Sequence, residues 1–321
     1  MHMEKFLYVA SQDAEGGILR MRLDAQGQLH REDFTPMDRV SYLCREGNRL
    51  YALLREPFQM QSGVQAFAIH ADGTLEKQGE AEPVHGAISA HLWAKDGVVY
   101  TANYLSGTTT RMPDKLIAHN GKGPNPDRQT CSHPHCITPT PDERYICICD
   151  LGTDRIEVYT LDLEKVSEVS VVPGSGPRHL VFSEDGQYAY CSNEMGSTVS
   201  VFSYKNGVLT HLDAVSTLPA DYEGESTASA IRLAGDRLYV SNRGHDSVCV
   251  FSVDGASITP LRWIPCGGQS PREMTLMDGW ILCGNELSHD ICVLPMDGDE
   301  TSQPVCCYPV TRPWCILPLE L

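Results

Sequence analysis

The 321-residue chain carries 42 acidic against 25 basic side chains, a formal net charge of −17. So negative a surface argues against nucleic acid or an anionic membrane as partner, while leaving room for a small anionic ligand in a local basic pocket. Hydrophobic residues make up 41% and charged residues 21%, the balance of a soluble globular chain long enough to bury a sizeable core.

No apolar run is long enough to cross a bilayer, and the leading MHMEKFLYVAS lacks the basic-then-apolar profile of a signal peptide. The thirteen cysteines fall mostly inside strand-like runs (Cys147, Cys149, Cys191, Cys249, Cys283, Cys292), and no CxxC pair has zinc spacing. Reduced core thiols in a cytoplasmic protein are expected, rather than a disulfide framework.

Taken in order, the chain repeats one strand-like motif seven times: LYVAS at Leu7, LYALL at Leu50, VYTANY at Val99, YICICD at Tyr145, AYCSNE at Ala189, LYVSNR at Leu238 and ILCGNE at Ile281. The spacing of about 45 residues is the period of a four-stranded propeller blade. A turn and a further alternating strand follow most copies, as in RIEVYTLD, TVSVFSY and SVCVFSVD. Hairpin signals such as Asn206-Gly207 and Asp254-Gly255 then lead into a short outer strand.

The closing TRPWCILPLEL reads as an inner strand with nothing after it, and the opening KFLYVAS as a second strand with nothing before it. Pairing the two in one blade closes the ring and hides two sheet edges. The expected fold is all-β: a seven-bladed β-propeller forming a single domain over residues 1–321. Two long loops interrupt the pattern, 121–129 (GKGPNPDRQ) and 218–230, and unstructured loops of that length are more often functional than accidental.

In such a ring, equivalent positions of successive units meet at one channel mouth. His135, Arg178 and Arg272 begin inner strands; Tyr104, Asp150, Glu194, Arg243 and Glu286 end second strands. Together they offer the imidazole, guanidinium and carboxylate groups of an acid/base site for an anionic substrate. Each has a plainer reading: Glu194 as a carboxylate bonded to a neighbouring turn, the arginines as its partners, His135 as a ring satisfied by backbone carbonyls. His133-x-His135 lacks a clear third ligand, so no metal is expected. Gly174-Ser-Gly176 lacks the lysine and helix of a phosphate loop, and no cofactor is expected.

The motifs GKGPNPDRQTCSHPHC, PGSGPRHLVFSEDGQYAYCSNE, GESTASAI and LYVSNRGHDSVCVFSVDG resemble the bacterial lactonase family with a seven-bladed propeller, which includes propeller-type 6-phosphogluconolactonases and, more distantly, the fungal carboxy-muconate lactonizing enzyme. The resemblance spans essentially the whole chain. It implies catalytic roles for His135, Arg178, Arg243 and Glu194; His179 and Arg272, from their places in the repeat, together with His133 and Glu286, are expected to bind substrate. Asn285-Glu286 stands where Asn-Gln is expected of the family, which bears on the substrate.

The implied activity is hydrolysis of a sugar lactone, 6-phosphogluconolactone to 6-phosphogluconate in the pentose phosphate pathway. Glu194 would activate water, His135 would shuttle the proton, and Arg178 and Arg243 would hold the oxyanion. A lactonizing cycloisomerase acting on a carboxylated substrate and a non-catalytic binding propeller are the alternatives. The expected partner is the small anionic lactone alone, with the chain a monomer or weak homodimer.

Overall fold

In the computed structural model, which describes residues 5–319, 28 strands form seven four-stranded antiparallel sheets. The first four residues of the leading segment and the last two of the closing strand lie outside the described residues. Among the described residues there is no α-helix, and hence none long and apolar enough to cross a membrane.

Blades are numbered here from the N-terminus, and their inner strands pack side by side around the channel. Blade 1 is the closing one. Its strand order from the axis outward is Pro313–Leu319, Lys5–Ser11, Gly17–Leu23, Leu29–Pro36, with Tyr8 opposite Leu317. The other six blades each use four consecutive strands, led by the inner strands Val40–Glu46, Ser89–Lys95, Pro134–Pro139, Pro177–Phe182, Thr227–Ala234 and Pro271–Met277.

The burial of each strand follows its place in the blade. Second strands are covered on both faces by neighbouring blades and therefore read as continuous apolar runs, as in Tyr145–Asp150, where only the first residue is part-exposed. Outer strands such as Lys165–Ser170 are exposed or half-exposed throughout. Each hydrophobic cluster lies between two blades. Cys136, Cys147, Cys149, Ile156 and Val158 of blade 4, for example, pack on Leu180, Cys191 and Phe202 of blade 5. Burial pushes the Cys136 thiol up to about 11, so it behaves as the small hydrophobe the sequence suggests.

One cysteine pair departs from the expectation of reduced thiols. Cys292 and Cys307 sit directly opposite on the third and fourth strands of blade 7, with Cα atoms 4.1 Å apart, and are joined by a disulfide; the other eleven cysteines are free. Direct cross-strand opposition brings the two sulfurs within bonding reach, a proximity that spacing along the chain does not reveal.

A feature repeated in all seven blades places the functional residues. The register between inner and second strands shifts by a β-bulge near the start of every inner strand. In six blades a single residue is left without a partner: Trp314, Ser41, Ala90, His135, Arg178 and Arg272. A bulge bends the strand and re-aims the extra side chain. All six of these side chains line one cavity at the channel mouth.

Candidate active site

The cavity, about 240 Å³, is bounded by the six bulged residues, by Arg55, Tyr104, Glu194 and Arg243 at corresponding positions toward the ends of second strands, and by Arg128 from the 121–129 loop. The second-strand set is fixed by the preceding residue. Asn193 donates from Nδ2 to Thr198 Oγ1 and Ser200 Oγ, both at 2.9 Å, and Asn103 bonds Thr108 and Thr110 likewise. Each Asn thereby secures its own turn. The residue after it then faces the channel.

This register corrects one sequence assignment. Asp150 pairs opposite Pro134 just as Asn193 pairs opposite Pro177, so it belongs to the turn-securing set. Its carboxylate accepts from Ser132 Oγ at 2.6 Å and from the His133 and Gly152 amides at 2.7 and 3.0 Å. The blade 4 residue equivalent to Glu194 is Leu151, which is buried and outside the cavity lining.

Glu194 is the centre of the cluster. Its backbone bridges two blades, the amide donating to Gly176 O at 2.7 Å and the carbonyl accepting from the Ala228 amide at 3.1 Å. Its Oε1 accepts from Arg128 Nη2 at 2.7 Å and its Oε2 from Arg178 Nε at 3.2 Å. Arg243 Nη2 lies 2.9 Å from Oε2 but off the hydrogen-bonding direction, and neither Nη2 nor Nε of Arg243 has an acceptor among the described residues. Burial works to raise the Glu194 carboxyl pKa, but the guanidiniums of Arg243 and Arg178 outweigh it and hold the group well below the usual carboxylate range.

The histidines are kept neutral. Burial, reinforced by the Arg178 charge, holds the His135 imidazole well below its ordinary value, and its Nδ1 has no hydrogen-bond partner among the described residues. His179 lies beneath it, ring centroids 5.3 Å apart, and its Nε2 accepts from Arg178 Nη1 at 3.2 Å. That tautomer steadies the guanidinium. Burial draws Arg178 down to about 10, aided by Arg243 and Arg272, so it stays cationic at neutral pH. Deeper still, burial brings His91 down to about 3, and its ring packs 4.2 Å from that of Tyr42.

His133 does not join this set, contrary to its expected substrate-binding role. Its Nδ1 bonds the Tyr104 carbonyl at 2.8 Å and its ring stacks on Tyr104 at 4.5 Å, outside the cavity lining. The bulge at His135 breaks the strand alternation that would put both histidines on one face. Glu286 likewise lies behind the lining, where its carboxylate sits 3.5 Å from Arg272 Nη1. Arg272 and His179 do line the cavity, as expected. Among the described residues no group of three or more His, Cys, Asp or Glu is placed to hold a metal ion.

Arg128, Arg55 and Trp314 are among the lining residues that escaped the sequence reading. Arg128 is presented by a pinned loop: buried Gln129 donates to Leu151 O and Asp154 Oδ1, both at 2.8 Å, while Asn125 Oδ1 caps the Asp127 and Arg128 amides at 3.0 Å. Arg55 occupies in blade 2 the place that Glu194 holds in blade 5, and Pro313-Trp314 repeats the pattern of Pro134-His135, Pro177-Arg178 and Pro271-Arg272. Counting the repeat through units 1 and 2 would have found both.

The channel mouth of this closed propeller gathers a neutral imidazole, a carboxylate and five guanidiniums, side-chain types that acid/base chemistry uses. The sequence profile of the family described as "Lactonase, 7-bladed beta-propeller" matches residues 6–306, and the chain belongs to that family of hydrolases acting on lactones. It is 33% identical over 302 residues to an uncharacterized protein of Staphylococcus epidermidis, covering 84% of this chain and 85% of the relative. A crystal structure of a Lactobacillus plantarum protein superimposes with a TM-score of 0.89 at 28% identity, over 99% of this chain and 100% of that one. A candidate 6-phosphogluconolactonase of Bacteroides fragilis gives 0.88 at 27% identity, over 99% of each chain. The periplasmic gluconolactonase of Pseudomonas aeruginosa, at 23% identity and a TM-score of 0.89, shares the fold.

Proposed function

We propose that the chain hydrolyses 6-phosphogluconolactone to 6-phosphogluconate, with His135 as the base. The observation that carries this reading is the gathering of Arg55, Arg128, Arg178, Arg243 and Arg272 around a neutral His135 in one cavity of a chain whose formal net charge is −17. Water adds to the lactone carbonyl, and its proton passes to His135. The carbonyl oxygen becomes an oxyanion facing Arg178 and Arg243, and the Nε and Nη2 of Arg243, without acceptors among the described residues, are preorganised donors. The ring C–O bond then breaks, the leaving alkoxide takes the proton from His135, and the product carries a carboxylate and a hydroxyl.

Glu194 suits another part than the base first expected of it. Both of its oxygens are taken up by three guanidiniums, whereas His135 Nδ1 has no partner among the described residues, and the Glu194 charge instead steadies those cations and the imidazolium that forms. The eleven free cysteines support a cytoplasmic site of action.

The test is acid release from freshly generated 6-phosphogluconolactone by the wild type, His135→Ala and Glu194→Gln. Turnover above the spontaneous rate that is lost in His135→Ala supports the assignment. Full activity in His135→Ala moves the base elsewhere, and no acceleration by the wild type refutes the phosphosugar lactonase.

A further inference from the structure

The cavity holds more positive charge than its chemistry at the lactone carbonyl requires. Of the carboxylates around it, Glu273 is bonded to Arg232, a residue outside the lining. That leaves Glu194 and Glu286 to offset five lining guanidiniums. The five guanidiniums outnumber by three the carboxylates that contact them, in a protein that is otherwise strongly acidic. An oxyanion developing beside Arg178 and Arg243 accounts for one of the three.

The excess is concentrated on one side. Arg128, Arg178 and Arg243 all contact Glu194. Across the ring, in blades 7, 1 and 2, Arg272 has only a long contact to Glu286 at 3.5 Å, and Arg55 has no ion pair or hydrogen bond from its guanidinium among the described residues. Both guanidiniums instead lie over the Trp314 indole, at 4.1 Å for Arg272 and 5.0 Å for Arg55. Stacking on the π-face orients a guanidinium while leaving its in-plane N–H donors unengaged. Two such forks beside one cavity suit a tetrahedral dianion better than a lone carboxylate.

We propose that Arg55 and Arg272, braced on Trp314, form a phosphate subsite that reads the terminal phosphate of the sugar lactone and makes the enzyme prefer phosphorylated over unphosphorylated aldonolactones. This rests on the lactonase reading above and adds to it the residues that set specificity. The subsite lies across the channel from His135, so a substrate spanning the cavity would place its lactone carbonyl at blades 4 to 6 and its phosphate at blades 7, 1 and 2.

The experiment compares kcat/KM for 6-phosphogluconolactone and for glucono-δ-lactone in the wild type, Arg55→Met and Arg55→Lys, with calorimetric titration of inorganic phosphate into each protein. The wild type is expected to prefer the phosphorylated lactone. Arg55→Met should reduce that preference on the order of 10- to 100-fold, mainly through KM, and weaken phosphate binding in proportion, with partial recovery in Arg55→Lys. Equal losses on both lactones, or an unchanged preference, would overturn the subsite. If the wild type accelerated neither lactone, the lactonase reading would fall, and phosphate binding that is unaffected by Arg55→Met would overturn the subsite independently.

Discussion

The two halves of the channel mouth use the same side chain in opposite electrostatic states. In blades 4 to 6, Arg178 and Arg243, with Arg128 reaching in from its loop, close on Glu194, a carboxylate only 6% exposed. In blades 7, 1 and 2, Arg55 and Arg272 rest on an indole, and the only side-chain contact of either guanidinium to a carboxylate among the described residues is the long one from Arg272 Nη1 to Glu286. A guanidinium tied to a buried carboxylate is held in place but partly neutralised; one stacked on an aromatic face is held in place and keeps its full charge. The first arrangement suits a transient oxyanion, which needs geometry above all. The second suits a permanent charge on the substrate.

The largest test of this contrast is His135→Ala. Loss of the base should lower kcat by about 10²- to 10⁴-fold with little change in KM for the phosphorylated lactone, as initial rates above the spontaneous background will show. That is the reverse of the KM effect expected across the ring.

Glu194→Gln comes next and acts on stability. Removing the carboxylate leaves Arg178 and Arg243 buried without a counter-charge, which should cost about 3–5 kcal/mol in denaturant unfolding. If the loss stays below ~1 kcal/mol, the two halves are not in different electrostatic states.

Acid should also act on the side that holds the histidines. In the unfolded chain His91, His135 and His179 take up protons near pH 6.5, whereas in the folded protein burial keeps them neutral to far lower pH. The unfolded state therefore binds more protons, and stability should fall as pH drops through 6.5, by up to about 1.4 kcal/mol per pH unit for each histidine. A shallower slope in His91→Asn, followed by thermal unfolding between pH 7.5 and 5.5, checks the sign.

The smallest effect is expected from Arg128→Met. This guanidinium is 44% exposed and engages Glu194 Oε1 and, at 3.4 Å, the Tyr104 hydroxyl, so kcat/KM should fall by about tenfold with the melting temperature nearly unchanged.

Most of the architecture was legible because each second strand is buried on both faces and repeats as an apolar run ending in a polar residue. LYVSNR and AYCSNE are the same structural sentence. The site was legible as far as the repeat could be counted, which brought His135, Arg178, Arg243 and Glu194 together at their true positions. It failed where the unit itself varies. In blade 4 an aspartate replaces the turn-securing asparagine, so Asp150 was placed one residue out of register. His133 was misplaced because a bulge breaks the alternation of faces. Arg128 comes from a loop with no counterpart in the other blades, and the Cys292–Cys307 bond depends on cross-strand pairing that spacing does not encode.

The closure of blade 1 bears on when this protein becomes competent during its synthesis. The strand Pro313–Leu319 is innermost in its blade, completes the sheet begun by Lys5–Ser11, and brings Trp314 to the channel mouth. Nearly the whole propeller separates these partners along the chain, so this blade is completed only after the other six have been made. Six blades can stack as they leave the ribosome, but the surface that braces Arg55 and Arg272 is added only when residues 313–319 emerge. Until then a nascent chain has His135 in a nearly finished propeller and no complete cavity around it, so ring closure and completion of the cavity are the same event.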